Sequence, residues 1–345
     1  MKKRRPLILI LASLLLFVFL VCGVLAPNAA GLSLDLNFFA GLLRGALAPS
    51  AGSGPADNAS GIRVPPGFAV TVFAEGASPE HAEGLEHPTS IAFGPDGGLY
   101  VAQLGGEIKT LSSAAGDSRA SAQRTYAAGF TAPLGIAWRG AELYVASRGK
   151  VSVVSAGGQV RDIITGLPAG RHQTDGLAFG RDGRLYIGQG SRSDHGELVG
   201  IAPMEATILS AESDGSRLRV FAKGLRNPYD LAFHPDSGEL FASDNGKDVP
   251  GDGVPDELNL IVEGGDYGWP DCYGQGKGAA CAGTLFPIAE FQEHSSANGL
   301  AFYTGSRFPR EYHNNIFIAL YGSNSNDPLI GRRVERVVLE KTASG

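Results

Sequence analysis

His172 stands in the run Arg171-His172-Gln173-Thr174-Asp175, directly ahead of the apolar stretch GLAF. An imidazole changes charge near neutral pH, so a histidine held at a strand mouth inside a cleft can take a proton from a hydroxyl. A histidine alone at a strand end reads more readily as structural. Arg226 and Asn227 precede Pro228, which disfavours helix at Asn227 and keeps the pair extended. A guanidinium beside an amide suits a ligand rich in carbonyl and carboxylate oxygens; a surface ion pair at a strand entry is the plainer alternative. The segment ASDNGKDVPGDGVPDELN gathers Asp244, Asp248, Asp252, Asp256 and Glu257. Oxygen ligands at that density invite Ca²⁺, which takes about 6 to 8 of them, although the EF-hand spacing is missing and a solvated acidic turn competes. Cys272 and Cys281, nine positions apart in DCYGQGKGAACAG, predict a loop-closing disulfide in an oxidising compartment.

These residues need a scaffold that brings distant segments to one place, and the chain repeats in a way that supplies one. TSIAFGPDGGLYVAQ, PLGIAWRGAELYVAS, TDGLAFGRDGRLYIGQG, YDLAFHPDSGELFASDNG and NGLAFYTGSRFPREYHNNIFIALYG share one pattern, an apolar strand, a turn and a second apolar strand. Aligned on Ile91, Ile136, Leu177, Leu231 and Leu300, they recur at intervals of 45, 41, 54 and 69 residues. Strand repeats of roughly 40 to 50 residues mark propeller blades. In the first blade the pattern places strands at residues 90–93, 99–103, 107–111 and 124–128, joined by hairpin turns such as PDG. The longer intervals locate loop insertions in the third, fourth and fifth repeats, where function tends to sit on a rigid scaffold. FAVTVFAEG, ahead of the first blade, reads as an outer strand that closes on the last one.

Composition agrees with an all-β reading. The 49 glycines among 345 residues and 19% charged side chains disfavour a coiled coil or helical repeat, and 43% hydrophobic residues disfavour disorder. The net charge of -6 argues against a nucleic-acid partner. MKKRR followed by an uncharged apolar run from Pro6 to Ala26 predicts a transmembrane signal-anchor over 1–26 with the remainder exported; a cleaved signal peptide, giving a secreted protein, is the competing reading. Residues 27–62 read as a linker, and residues 63–345 as the propeller, C-terminally incomplete.

RHQTDGLAFGRDGRLYIGQGS, GLRNPYDLAFHPDSGELFASDNG, DELNLIVEGGDYGWPDCYG and GLAFYTGSRFPREYHNNIFIALYGS, in that order, resemble the quinoprotein glucose/sorbosone dehydrogenase family over residues 63 to about 340. The resemblance implies a six-bladed propeller of four-stranded blades, about five of them visible here, and oxidation of sugars with pyrroloquinoline quinone (PQQ) and calcium. It implies His172 as general base, Arg226 and Asn227 as cofactor contacts, and Arg333 as partner of a PQQ carboxylate. The carbonyls of Gly251 and Asp252 would face the calcium, with Asp256 and Glu257 supporting their loop, and Trp269 would pack as an anchor above the cleft. There are departures. Ser191 stands where glucose-oxidising members carry an aspartate behind the histidine, AGFTAPLGIAW lacks their cofactor-contacting glutamine, and Tyr321 to Asn326 replace HGSWNR. The expected protein is an exported enzyme oxidising an aldose or sorbosone-like aldehyde. A non-catalytic propeller that binds carbohydrate or protein is the alternative. A lactonase-type hydrolase is disfavoured, because the acids crowd into one loop.

Overall fold

The computed structural model describes residues 62–77, 84–113, 118–198, 200, 202–248, 253–323 and 330–340. The chain divides into two compact units, Met1–Val70 and Thr71–Gly345. Of the first, residues 62–70 are described: an irregular stretch with a turn in which Phe68 N–H donates to Pro65 O at 3.1 Å. The expected membrane segment over 1–26 and almost all of the linker lie outside the described residues. No helix among the described residues is long and apolar enough to cross a membrane.

The second unit is a five-bladed β-propeller. Blade 1 comprises β1 (Pro88–Phe93), β2 (Leu99–Gln103), β3 (Glu107–Ser112) and β4 (Ala122–Ala128), within two residues of the limits read from the sequence. Blade 2 comprises β5 (Gly135–Arg139), β6 (Glu142–Ser147), β7 (Lys150–Val154) and β8 (Val160–Thr165). Blade 3 comprises β9 (Thr174–Phe179), β10 (Leu185–Gln189), β11 (Thr207–Ala211) and β12 (Arg219–Lys223). Blade 4 is built from β13 (Pro228–Phe233), β14 (Leu240–Asp244) and β15 (Asp256–Ile261), then, beyond an inserted hairpin of β16 (Cys272–Tyr273) and β17 (Lys277–Gly278), from β18 (Ala289–Phe291). Blade 5 has three strands among the described residues, β19 (Ala297–Phe302), β20 (Ile316–Leu320) and β21 (Arg333–Val337). Every named pairing is antiparallel, and the innermost strands β1, β5, β9, β13 and β19 pack each against the next.

The seams between blades explain why the second strands read as unbroken apolar runs. Successive side chains of a strand point to opposite faces, and here both faces meet a neighbouring blade. On β10, Leu185 and Ile187 join the core shared with blade 2, while Tyr186 joins the core shared with blade 4. An aromatic ring recurs at each seam. Tyr100 meets Trp138 edge-on at 4.8 Å, Tyr144 meets Phe179 at 4.8 Å, Tyr186 meets Phe233 at 5.1 Å and Phe241 meets Phe302 at 5.5 Å. Edge-on pairs of this kind contribute about 0.5–1.5 kcal/mol each beyond their buried area. Phe93 occupies the same repeat position in blade 1, which no blade precedes among the described residues, and it is 73% exposed. The hairpin turns are fixed locally: Asp182 accepts the Arg184 N–H at 3.1 Å and the Tyr186 hydroxyl at 3.0 Å, and Gly183 between them takes φ +78°.

One expectation needs correcting. Residues 68–76 form no strand, and residues 71–76 do not complete blade 5. Gly76 makes an isolated bridge to Leu85, and Phe73 O accepts the Ala120 N–H at 2.8 Å, so residues 73–76 run beside blade 1. The described residues form five blades, the number visible in the sequence, where the resemblance implies a ring of six.

Candidate active site

His172 lies just ahead of β9, and backbone pairing extends the ladder to hold it there. Its N–H donates to Ser191 O at 3.0 Å, the Arg171 N–H to Arg192 O at 2.9 Å, and the Gly190 N–H to Gln173 O at 2.8 Å. Gly190 sits beneath the histidine. A Cβ at that position would lie 2.4 Å from His172 Cβ and 2.9 Å from Asn227 Oδ1, so the tight packing of both side chains depends on its absence. Gly190→Ala is therefore expected to cost about 1–3 kcal/mol in denaturant unfolding, the usual range for forced overpacking.

Arg226 and Asn227 enter β13 from a turn clamped by one carboxylate. Asp244, at the end of β14, accepts the Arg226 N–H at 3.0 Å and the Asn227 N–H at 2.6 Å. The Arg226 side chain is 2% exposed. Its Nε donates to Asp194 O at 3.1 Å, its Nη1 to Asn245 O at 3.0 Å and its Nη2 to Asp194 Oδ1. Asp248 then links three segments, with Arg171 Nη2 at 2.8 Å, Arg226 Nη2 at 3.6 Å and His294 Nδ1 at 3.9 Å.

These groups border a cleft of about 1380 Å³ whose walls come from β1 and from blades 3, 4 and 5. Four of its polar side-chain atoms, His172 Nε2, Asn227 Oδ1, Asn245 Oδ1 and His294 Nε2, are buried without a hydrogen-bond partner. Burial, followed by the positive charge of Arg226, pushes His172 down to about 3, which leaves its imidazole neutral at physiological pH. Beneath it, burial and the neighbouring Asp244 and Asp230 raise Asp175 well above the usual carboxylate range. Burial, with Glu257 next to it, pushes Asp244 up to about 8 against the pull of its two N–H donors.

The structure brings His172, Arg226, Asn227 and Asp256 together on this cleft. Asp256 braces two of its loops: Oδ1 accepts the Gly246 N–H at 2.9 Å, and Oδ2 accepts the Ser295 hydroxyl at 3.0 Å and the Ser296 N–H at 2.6 Å. Glu257 points to the other face of β15, where it accepts the Gly274 N–H at 2.6 Å and the Asn259 amide at 3.1 Å. Gly251 and Asp252 lie outside the described residues. Among the described residues no group of three or more His, Cys, Asp and Glu is placed to hold a metal. Arg333 stands apart from the cleft. It pairs with Glu335 on one face of β21 while Val334, on the other, lines the cleft. Trp269 lies about 5.8 Å from the Arg226 guanidinium, stacked behind it rather than over the cleft. Ser191 Oγ turns to Ser193, 3.3 Å away, so it gives the His172 ring no support. Cys272 and Cys281 are bonded, closing the blade 4 insertion. His294 and Asn245 belong to the site although no sequence pattern had singled them out.

Residues 139–336, more than half of the chain, match the family described as glucose/sorbosone dehydrogenase. The chain belongs to that family. It is accordingly an oxidoreductase of the sugar dehydrogenase kind. An uncharacterized protein of Borreliella burgdorferi is 29% identical over 307 residues, covering 80% of this chain and 76% of its own length. The aldose sugar dehydrogenase YliI of Escherichia coli is 28% identical over 177 residues, 44% of this chain and 46% of that protein. Among solved structures, the PQQ-bound form of an aldose sugar dehydrogenase from Streptomyces coelicolor is 27% identical. It superposes with a TM-score of 0.58 over 75% of this chain and 79% of that one.

Proposed function

We propose that this family member is a PQQ-dependent dehydrogenase that oxidises an aldose or a related, sorbosone-like aldehyde outside the cytoplasm. The observation that carries the reading is the neutral, partnerless His172 Nε2 buried on the same cleft as the orphaned amide oxygen of Asn227. These donor and acceptor types suit a planar, oxygen-rich cofactor. The Asn227 amide would donate through Nδ2 to one of its carbonyl oxygens, its Oδ1 and that of Asn245 would accept from an N–H or hydroxyl of the bound molecules, and Arg171 would meet a carboxylate. Arg226, three of whose N–H donors are taken within the protein, would hold the Asn227 turn in place and offer the remainder. The chemistry such a quinone supplies when bound is acceptance of two electrons from the substrate. His172 Nε2 takes the proton of the hydroxyl being oxidised, and the buried wall behind it keeps bulk water from competing for that proton.

Calcium dependence rests on the sequence of the loop around Gly251 and Asp252, and export with membrane attachment on residues 1–26. The disulfide fits an oxidising compartment. A second reading, a cofactor-free propeller that binds carbohydrate or protein, draws on Ser191, which leaves the imidazole without the support expected of a strong base. Calorimetric titration of PQQ with and without Ca²⁺, followed by dye-linked oxidation of a panel of aldoses, separates the two. Calcium-dependent binding with turnover is expected; absence of both would favour the cofactor-free propeller.

A further inference from the structure

His294 sits in an unfavourable backbone conformation at a turn on the wall of the cleft. Its backbone φ is 62° and that of Ser296 is 55°, in the left-handed region that residues other than glycine seldom adopt. The turn is fixed from several sides. Asp256 takes the Ser295 hydroxyl and Ser296 N–H, the carbonyls of Ser295 and Ser296 accept the Gly322 and Tyr321 N–H groups at 2.9 Å each, and Glu293 accepts the Gly253 N–H at 2.8 Å. The result is an imidazole whose side chain is 11% exposed, with Nδ1 turned toward Asp248 and Nε2 on the cleft without a partner. Strain and an unpaired polar atom at one residue both cost stability, and a ligand that pairs with Nε2 would offset them.

We propose that His294 is a second substrate-contacting imidazole of this cleft, whose Nε2 hydrogen-bonds a sugar hydroxyl other than the one His172 deprotonates, so that it selects polyhydroxy aldoses over simple aldehydes. The proposal rests on the aldose-oxidising reading and deepens it. A hydroxyl fits better at this imidazole than an anionic group, because the Asp248 carboxylate, 3.9 Å from Nδ1, already sets negative charge beside the ring. A hydroxyl also accommodates either tautomer, since it both donates and accepts.

Two substitutions test this. His294→Asn keeps a residue that tolerates the left-handed backbone but is too short to reach the Nε2 position, whereas His294→Gln places an amide near it. The affinity of an aldose and of its monodeoxy analogues is measured by calorimetry on the full chain without added cofactor, and KM and kcat are measured after loading with PQQ and Ca²⁺. Expected for His294→Asn are a roughly 10- to 100-fold loss of affinity and rise in KM for the aldose, with kcat within a few-fold and the melting temperature preserved. The variant should also lose the wild-type discrimination against one deoxy analogue, and His294→Gln should recover part of both effects. Unchanged affinity and discrimination in a folded His294→Asn protein would overturn the proposal, as would a uniform fall in kcat with KM intact. A wild type that binds the aldose in a His294-dependent way without oxidising it would remove the dehydrogenase reading and leave this contact standing.

Discussion

His172→Gln is expected to lower kcat by about 10²- to 10⁴-fold, the range a positioned general base supplies, while PQQ affinity changes by no more than a few-fold. The side chain is held from its backbone by the Ser191 carbonyl and from below by Gly190, so the substitution removes the base without disturbing its support. A second readout checks the electrostatics independently of turnover. An unfolded histidine titrates near about 6.5, and in the folded chain His172 is pushed down to about 3 by burial and then by Arg226. Below the unfolded value the unfolded chain binds a proton that the native one refuses, so stability falls as pH drops from about 6.5 toward 3. The His172 share of that slope is at most about 1.4 kcal/mol per pH unit. His172→Gln removes it, and since the buried carboxylates are common to both proteins, the difference between the two denaturation curves isolates the imidazole. Unchanged turnover would dismiss His172 as the base, and parallel curves would show that its imidazole is freely protonated in the native state.

The parts of this molecule that were legible in the sequence are those set by local chemistry. Hairpins with Asp-Gly turns and two-faced apolar strands gave blade 1 to within two residues, because turn type and side-chain alternation decide such strands without distant help. The seams are built on Tyr100, Tyr144, Tyr186 and Phe241 and their partners in the next blade, a pairing that only the assembled blades reveal. His172, Arg226 and Asn227 were legible because each flanks an inner strand. His294 was not. Its place on the cleft depends on a turn that Asp256 braces at Ser295 and Ser296, 39 and 40 positions later in the chain, and no local pattern announces that contact. Arg333 shows the converse: the alternation of β21 turns it away from the cleft and Val334 toward it, a one-residue distinction that loose matching cannot make. The fate of residues 68–76 likewise depended on tertiary pairing rather than on their strand-like alternation.

Arg226→Met is expected to give the largest loss of stability among single substitutions at the site, about 3 kcal/mol by chemical denaturation. Breaking a buried ion pair typically costs about 3–5 kcal/mol, and the lower end applies because Asp194 is 20% exposed and water can reach it once the guanidinium is gone. For a unit of this size each kcal/mol corresponds to roughly 2–4 °C, so the melting temperature should fall by roughly 6–12 °C. Much of the cost is the stranded partner rather than the lost bond, which makes the double variant informative: adding Asp194→Asn to Arg226→Met should return part of the loss, whereas unrelated substitutions would add. Arg226→Lys should rescue poorly, since one ammonium cannot reach both Asp194 and the Asn245 carbonyl in the geometry of a planar fork. The consequence for function follows from the same bonds. Arg226 O accepts the Ser191 N–H at 2.7 Å, and its guanidinium holds Asn245 O, so this one residue ties the His172 strand to the loop that carries Asn245 and Asp248. If Arg226 is this cross-brace, Arg226→Met weakens PQQ binding along with stability, whereas a loss below about 1 kcal/mol would mean that the surrounding backbone bonds hold the cleft without it.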